Sequence, residues 1–407
     1  MKPGVNIYSE IGKLNSVLIH RLGKEVEGLI PDNFERLLFD DIPYLRVAQK
    51  EHDAFADLLK KNGVQVRYFM EEAEKSLADY KIRAQFVREF ILESDVHSES
   101  VQSALYEYFM AMDVGEMLSH MVAGVRKGEI SVKKTMSLTD FIREEYPYYT
   151  DPIPNLYFTR DPGAFIGNGV SIHCMSTKAR KREALMLKYM YLYDKELMPD
   201  GTNKWYDYEG PNPVEGGDIL VLSPEIVAMG HSQRTTSNGI EIMADNLLRY
   251  SNSFKKILVF EIPKRRAFMH LDTVFTMVDF DKFTIHPEIE EPLQIYEVTL
   301  DQKGRPHFAS RTDRLKMILK KELNLPSIEL IRCGGADKMA AQREQWSDGS
   351  NTLAIAPGVV ITYDRNYVTN DLLDKSGIKV MTIPSSELSR GRGGPRCMSM
   401  PINRTDL

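Results

Sequence analysis

The order strand, strand, helix, strand recurs along this chain of 407 residues, and that recurrence constrains its fold more than any other feature. GAFIGNGVSIHCM (163–175) reads as a hairpin turning at Gly167-Asn168-Gly169, with a basic helix around 178–196 and a short strand at 204–208 behind it. DILVLSPEIVAMG (218–230), a helix at 237–250 and KKILVFEIP (255–263) repeat the order. So do DTVFTMVDFDKFTIHP (272–287), a helix near 310–322 and SIELIRC (327–333). A further repeat is TLAIAPGVVITYD (352–364), a helix near 366–376 and IKVMTIP (378–384). The first unit is the least complete: SVLIHR (16–21), an amphipathic helix over 44–62 closed by Gly63, and VQVRYF (64–69). Five copies of one ββαβ unit predict a radial or stacked α/β architecture instead of a single open sheet.

Residues 71–148 break the pattern. They lack strand signals, and AEKSLADYKIRAQFVREFILES, SVQSALYEYFMAMDVGEMLSHMVAGV and SLTDFIREEYP carry apolar residues at helical spacing. We read 71–148 as an inserted α-helical bundle, its Met and Tyr residues forming core, with 1–70 and 149–407 making the repeat domain. No helix is opened by GxGxxG or a P-loop, which disfavours a nucleotide fold.

Fifty-two basic against 58 acidic residues give a net charge of −6, which argues against nucleic acid or an anionic membrane as partner. No apolar run approaches a membrane span. The opening MKPGVNIYSEIGKLNSVLIH has neither an uninterrupted apolar stretch nor a small-residue cleavage site, so no signal peptide is expected. Cys174, Cys333 and Cys397 are too few and too scattered for a disulfide framework or a structural zinc site, and suit a reducing cytoplasm.

Four segments put unusual polar groups where strands meet turns: NLYFTRDPG (155–163), EGGD (215–218), HLD (270–272) and GRGGPRC (391–397). Any one alone reads as turn chemistry. Together they offer a thiol, an imidazole, carboxylates and arginines, the groups needed for nucleophilic catalysis on a charged substrate. On a strand, His270 and Asp272 would share a face. Glu215, followed by two glycines that allow close backbone approach, could orient and charge an imidazole. A metal site is disfavoured because HExxH is absent and His270 has no second His at helical spacing.

Assembled with SEIGKL, LLFDDIPYL (37–45), HLDTVFTMVD, DGSNTLAIAPGVVITYDRN and GRGGPRCMSMPI, these segments make the chain resemble the arginine deiminases of the guanidino-group-modifying superfamily over nearly its whole length. The resemblance implies a five-bladed, pseudo-fivefold α/β-propeller of ββαβ units with a helical bundle inserted after the first, closed by return of the C-terminal segment to that first unit. It implies hydrolysis of L-arginine to L-citrulline and ammonia through a covalent cysteine thiouronium adduct, without metal or cofactor, as the first step of the arginine dihydrolase pathway. Cys397 would be the nucleophile, His270 the general acid and base, and Glu215 its support. Asp161 and Asp272 would hold the substrate guanidinium, while Asn155, Phe158, Arg180, Arg234 and Arg392 would line the pocket or bind the amino-acid end. Two carboxylates oppose a Cys397 thiolate, whereas substrate charge, His270 and Arg392 favour it. An amidinotransferase or a dimethylarginine hydrolase would share the nucleophile, and a non-catalytic arginine sensor could keep the pocket. The helical insertion and the full set of motifs favour the deiminase. A cytoplasmic homo-oligomer, dimer or tetramer, is expected from the exposed helical faces in 71–148.

Overall fold

A computed structural model describes residues 4–132, 146–290 and 293–407. Its strands fall into three-stranded repeats in which a hairpin is followed, after a helix, by a strand parallel to the hairpin's second strand. Gly163–Ile166 and Gly169–Ile172 pair antiparallel, and Asn203–Tyr206 joins the second after the helix Lys181–Tyr193. Ile219–Ser223, Ile226–His231 and Lys256–Glu261 repeat this around the helix Ser237–Tyr250. Phe275–Met277, Lys282–Ile285 and Glu329–Arg332 do so with Leu315–Glu322 between. Leu353–Ala356, Val359–Tyr363 and Lys379–Ile383 do so with Tyr367–Lys375 between.

The incomplete first unit borrows its missing strand from the other end of the chain. Met400–Arg404 runs antiparallel to Leu14–Ile19, which is parallel to Gln65–Tyr68 across the helix Leu45–Lys61. The chain is thus an α/β fold of five repeats, and its sheets do not join into one closed sheet among the described residues.

Burial is graded across each repeat, which explains the apolar runs in the sequence. The leading strands Gly163–Ile166 and Phe275–Met277 are wholly buried, whereas the trailing strands Gln65–Tyr68 and Glu329–Arg332 are largely uncovered edges. Leading strands pack on both faces and read as unbroken hydrophobics. Trailing edges carry the charges that discourage further pairing. One trailing strand is covered: Ile295–Leu300 pairs with Lys256–Glu261 and with Pro306–Arg311, making a five-stranded sheet. Sequence patterning missed this hairpin and the helix Lys338–Trp346.

Helices Phe69–Ser76, Tyr80–Glu93, Glu99–Met110 and Val114–Ala123 occupy most of the described part of this region, but it is not strand-free as expected: Val125–Arg126 pairs antiparallel with Tyr148–Thr150. The two long helical stretches read there are each divided, because Asp79 accepts from the backbone of Lys81 and Ile82, and Asp113 from that of Glu116, starting new helices. Phe86 meets Tyr189 of the helix Lys181–Tyr193 edge to face at 4.9 Å between centroids, so these helices share a core with the repeats. The helix expected in SLTDFIREEYP lies outside the described residues for 137–145. No helix among the described residues is long and apolar enough to cross a membrane.

Glu51, buried on the helix Leu45–Lys61, ties down the segment leading into GRGGPRC. Its carboxylate accepts from the backbone of Ser386, Glu387 and Leu388 and from the Ser386 hydroxyl, at 2.7 to 3.0 Å. Replacing it strands three N–H groups. Glu51→Ala is expected to cost about 3 kcal/mol in urea unfolding.

Candidate active site

The expected residues come together because the repeats deliver their polar groups at a common place, the turn that leads into the buried first strand. Asp161 precedes Gly163–Ile166, Glu215 precedes Ile219–Ser223, His270 and Asp272 precede Phe275–Met277, and Cys397 precedes Met400–Arg404. All the expected residues except Asp272 line one narrow cleft, together with Leu38, Met269, Thr273 and Gly391. Asp272 lies beneath it, with Oδ2 at 3.7 Å from Cys397 Sγ.

HLD is not on a strand, contrary to its sequence reading. His270 caps a 3₁₀ turn over Leu271–Thr273, closed by the Thr273 hydroxyl donating to the His270 carbonyl at 2.7 Å. The strand begins only at Phe275. A turn sets the two side chains at different depths instead of on one strand face. His270 lines the cleft, and Asp272 is fully buried below the thiol.

Both aspartates are half-satisfied by a resident arginine. Arg180 Nη1 donates to Asp161 Oδ2 at 2.6 Å, and Arg396 Nη1 donates to Asp272 Oδ2 at 2.7 Å. The remaining oxygen of each, Asp161 Oδ1 and Asp272 Oδ1, is buried without a hydrogen-bond partner among the described residues. The arginines are anchored from behind. Glu183 accepts from Arg180 Nε and Nη2 at 2.9 and 2.7 Å, and Glu10 accepts from Arg396 Nε and Nη2 at 3.1 and 3.2 Å. Arg180 Nη2 also reaches the carbonyls of Asn155 and Phe158, so most of its donors are committed within the protein.

His270 is held between carboxylates. Nε2 lies 2.8 Å from Glu215 Oε2, and Nδ1 lies 3.8 Å from Asp161 Oδ1. A Cβ on Gly217 would come within 2.7 Å of the imidazole, so glycine is needed for this packing. Burial works to lower the His270 pKa, but Asp161, Glu215 and Asp218 outweigh it and raise it to about 9. Burial opposes ionisation of Glu215 too, yet Arg234, His270 and Arg180 keep its carboxyl well below the usual range. Its other oxygen accepts from the backbone and hydroxyl of Ser176 at 3.0 and 2.8 Å. Burial first, then the charges of Asp272, Asp161 and Asp348, push the Cys397 thiol well up.

Asp161, Glu215 and His270 each offer a ligand atom, all within 4.8 Å of one another. Of these atoms His270 Nε2 is already engaged by Glu215 at 2.8 Å, whereas Nδ1 stands 3.8 Å from Asp161 Oδ1, beyond hydrogen-bond reach.

Arginines rim the cleft. Arg234 Nη1 donates to the Ser176 hydroxyl at 3.3 Å and lies 3.9 Å from Glu215. Arg392 adopts a left-handed backbone, φ 64°, and lays its guanidinium 3.4 Å from the Trp346 ring centroid. Asn155 Nδ2 donates to the Leu37 carbonyl, and Phe158 packs so close to Gly393 that a Cβ there would lie 2.2 Å from its ring. Sequence reading did not single out Glu183, Arg396 or Glu10. Arg396 stands in GRGGPRCMSMPI and Glu10 in SEIGKL, but nothing local marks the two as partners.

Folded His270 holds its proton to about pH 9, against an ordinary value of about 6.5, so its contribution to stability is complete below pH 6.5 and lost as pH rises to 9. Unfolding free energy should fall by on the order of 3 kcal/mol across that window from this group. His270→Asn should flatten the fall in urea unfolding measured at successive pH values.

The family model for arginine deiminase matches residues 35–404. An arginine deiminase of Clostridium perfringens (strain SM101 / Type A) is 51% identical over 99% of this chain and 98% of its own. One of Bacillus thuringiensis subsp. konkukian is 49% identical over all of both chains. Among solved structures, SxtG, an amidinotransferase of Microseira wollei in the saxitoxin biosynthetic pathway, superposes with a TM-score of 0.55 at 17% identity, covering 99% of this chain and 98% of that one. The N-terminal domain of ArgZ, covalently bound to a reaction intermediate, gives 0.54 at 12% identity, covering 96% and 98%.

Proposed function

Because the chain belongs to the arginine deiminase family, we propose that it converts L-arginine to L-citrulline and ammonia with Cys397 as the nucleophile. It is a hydrolase acting on a C–N bond of a linear amidine. One observation carries the assignment of roles: Asp161 and Asp272 each keep one buried oxygen without a partner, in a site whose thiol lies 3.7 Å from the other oxygen of Asp272. A guanidinium is the planar, multiply donating cation that satisfies two such oxygens at once. The resident arginines leave each aspartate one oxygen to give.

The incoming guanidinium adds positive charge beside Cys397 and offsets the carboxylates that oppose its ionisation. Cys397 loses its proton to solvent, where it ends on the released ammonia as ammonium, and the thiolate adds to the guanidino carbon. His270, protonated at rest, gives its proton to the departing nitrogen, and the C–N bond breaks to release ammonia. A thiouronium adduct remains. His270, now neutral, takes a proton from water as the hydroxide adds to the same carbon. The C–S bond then breaks, the hydroxyl proton passes to sulfur, and the ureido group of citrulline is left. Glu215 keeps His270 oriented and ready to regain its proton.

Asn155, Phe158, Arg180, Arg234 and Arg392 receive the rest of the substrate. Arg234 and Arg392 have donors less committed to the protein than those of Arg180, and take the larger part in holding the substrate carboxylate. The five repeats form a five-bladed pseudo-fivefold propeller, supported by the buried leading strands and by the C-terminal strand pairing with the first unit. The inserted helical bundle is assigned to 71–148 on the four helices among its described residues. The cytoplasm suits a chain whose cysteines are all free, and we assign a homo-oligomer.

Cys397→Ser should bind arginine with an affinity within about threefold of wild type and yield no citrulline, as read by calorimetry and a citrulline assay. Mass spectrometry of acid-quenched wild type should show a protein heavier by arginine less ammonia. Citrulline formed at the wild-type rate by Cys397→Ser would remove the covalent path. Transfer of the amidino group to glycine without ammonia would reassign the chemistry.

A further inference from the structure

Four of the five repeats place a proposed reacting or binding group ahead of their leading strand, and the fifth does not. Asn351 stands at that place, before Leu353–Ala356, and is 1% exposed. Resting on the reading that Cys397 attacks a guanidinium, we propose that Asn351 is the positioning residue that sets the distance between the nucleophile and Asp272.

Its amide touches both. Oδ1 accepts from the Cys397 backbone N–H at 3.0 Å, and Nδ2 donates to the Asp272 carbonyl at 3.2 Å. The other end of the Cys397 residue is held differently. Its carbonyl accepts from the backbone N–H of Arg160, next to Asp161, at 3.1 Å. The nucleophile is therefore strung between the two segments that carry the guanidinium-binding carboxylates. The link to Asp161 is main chain to main chain and survives any substitution. The link to Asp272 runs through one side chain. Gly394 leaves room for it, since a Cβ there would come within 2.7 Å of Asn351 Oδ1. Both amide groups are spent on the two backbones, so Asn351 has no need to touch substrate. It acts through Cys397 and Asp272, whose Sγ and Oδ2 lie 3.7 Å apart.

The test compares wild type with Asn351→Ala in three measurements: citrulline kinetics, arginine affinity in the Cys397→Ser background, and Cys397 alkylation by iodoacetamide and by 2-chloroacetamidine. The amidinium reagent must sit on the aspartates as it reacts, whereas iodoacetamide need not. A misplacement of about 1 Å predicts a kcat lower by on the order of 100-fold, with arginine affinity held within about threefold. Alkylation by 2-chloroacetamidine should fall with kcat, and alkylation by iodoacetamide should not. The proposal is overturned if kcat stays near wild type, if both alkylations fall by the same factor, or if affinity falls in step with kcat/KM. Should Asn351→Ala fail to fold by circular dichroism, Asn351→Asp decides. It keeps an acceptor for Cys397 but sets oxygen against the Asp272 carbonyl, so the same pattern is expected and a wild-type kcat overturns the idea. The wild-type assay is scored first, because absence of citrulline there defeats the underlying reading and not the role of Asn351 within it.

Discussion

Two carboxylates buried beside a thiol cannot stay charged without cations, and the manner in which each is given one organises the site. A buried carboxylate is costly unless paired and hydrogen-bonded. Arg180 and Arg396 each supply one bond, to one oxygen, of Asp161 and Asp272. Each arginine is then shared with a second acid behind it, Glu183 or Glu10. Around Arg180 two carboxylates share one guanidinium, which leaves a deficit of positive charge at the cleft end, whereas around Glu10 the charges of Arg160 and Arg404 add to that of Arg396. Protonated His270 answers part of that deficit, and a substrate guanidinium answers the rest. Burial first, and then the same field, hold the thiol protonated.

That arrangement depends on the repeat. No single segment carries acid, imidazole and thiol. The turns before buried leading strands bring them from distant stretches of sequence to one cleft. Rigidity comes from the strands behind, which are packed on both faces. The last of these, Met400–Arg404, completes the sheet of the first unit, so the nucleophile lies near the chain's end in sequence but within its core in space.

Much of this was legible in the sequence, and what was not has physical causes. Alternating hairpins and amphipathic helices exposed the repeats, because leading strands must be apolar on both faces. The cleft residues stood out because His, Cys and paired acids beside glycine are unusual at strand starts. HLD was misjudged as strand because a 3₁₀ turn closed by a threonine hydroxyl has no periodicity to show. The hairpin Ile295–Leu300 and Pro306–Arg311 was missed because its outer strand, uncovered and polar, carries no hydrophobic alternation. Glu10 and Glu183 were invisible as partners, since their roles come from contacts set by the fold. Asn351 lay in a quoted motif, and only the comparison of equivalent turns gives it a part.

The central claim is that one free oxygen on each of two arginine-anchored aspartates selects a guanidinium. Calorimetry on the Cys397→Ser chain, with arginine and with its uncharged ureido counterpart citrulline, tests it directly. Two charge-assisted contacts predict arginine binding at least about tenfold tighter than citrulline, with the preference abolished by adding Asp272→Asn. Equal affinity for the two ligands, or a preference that survives Asp272→Asn, would contradict it.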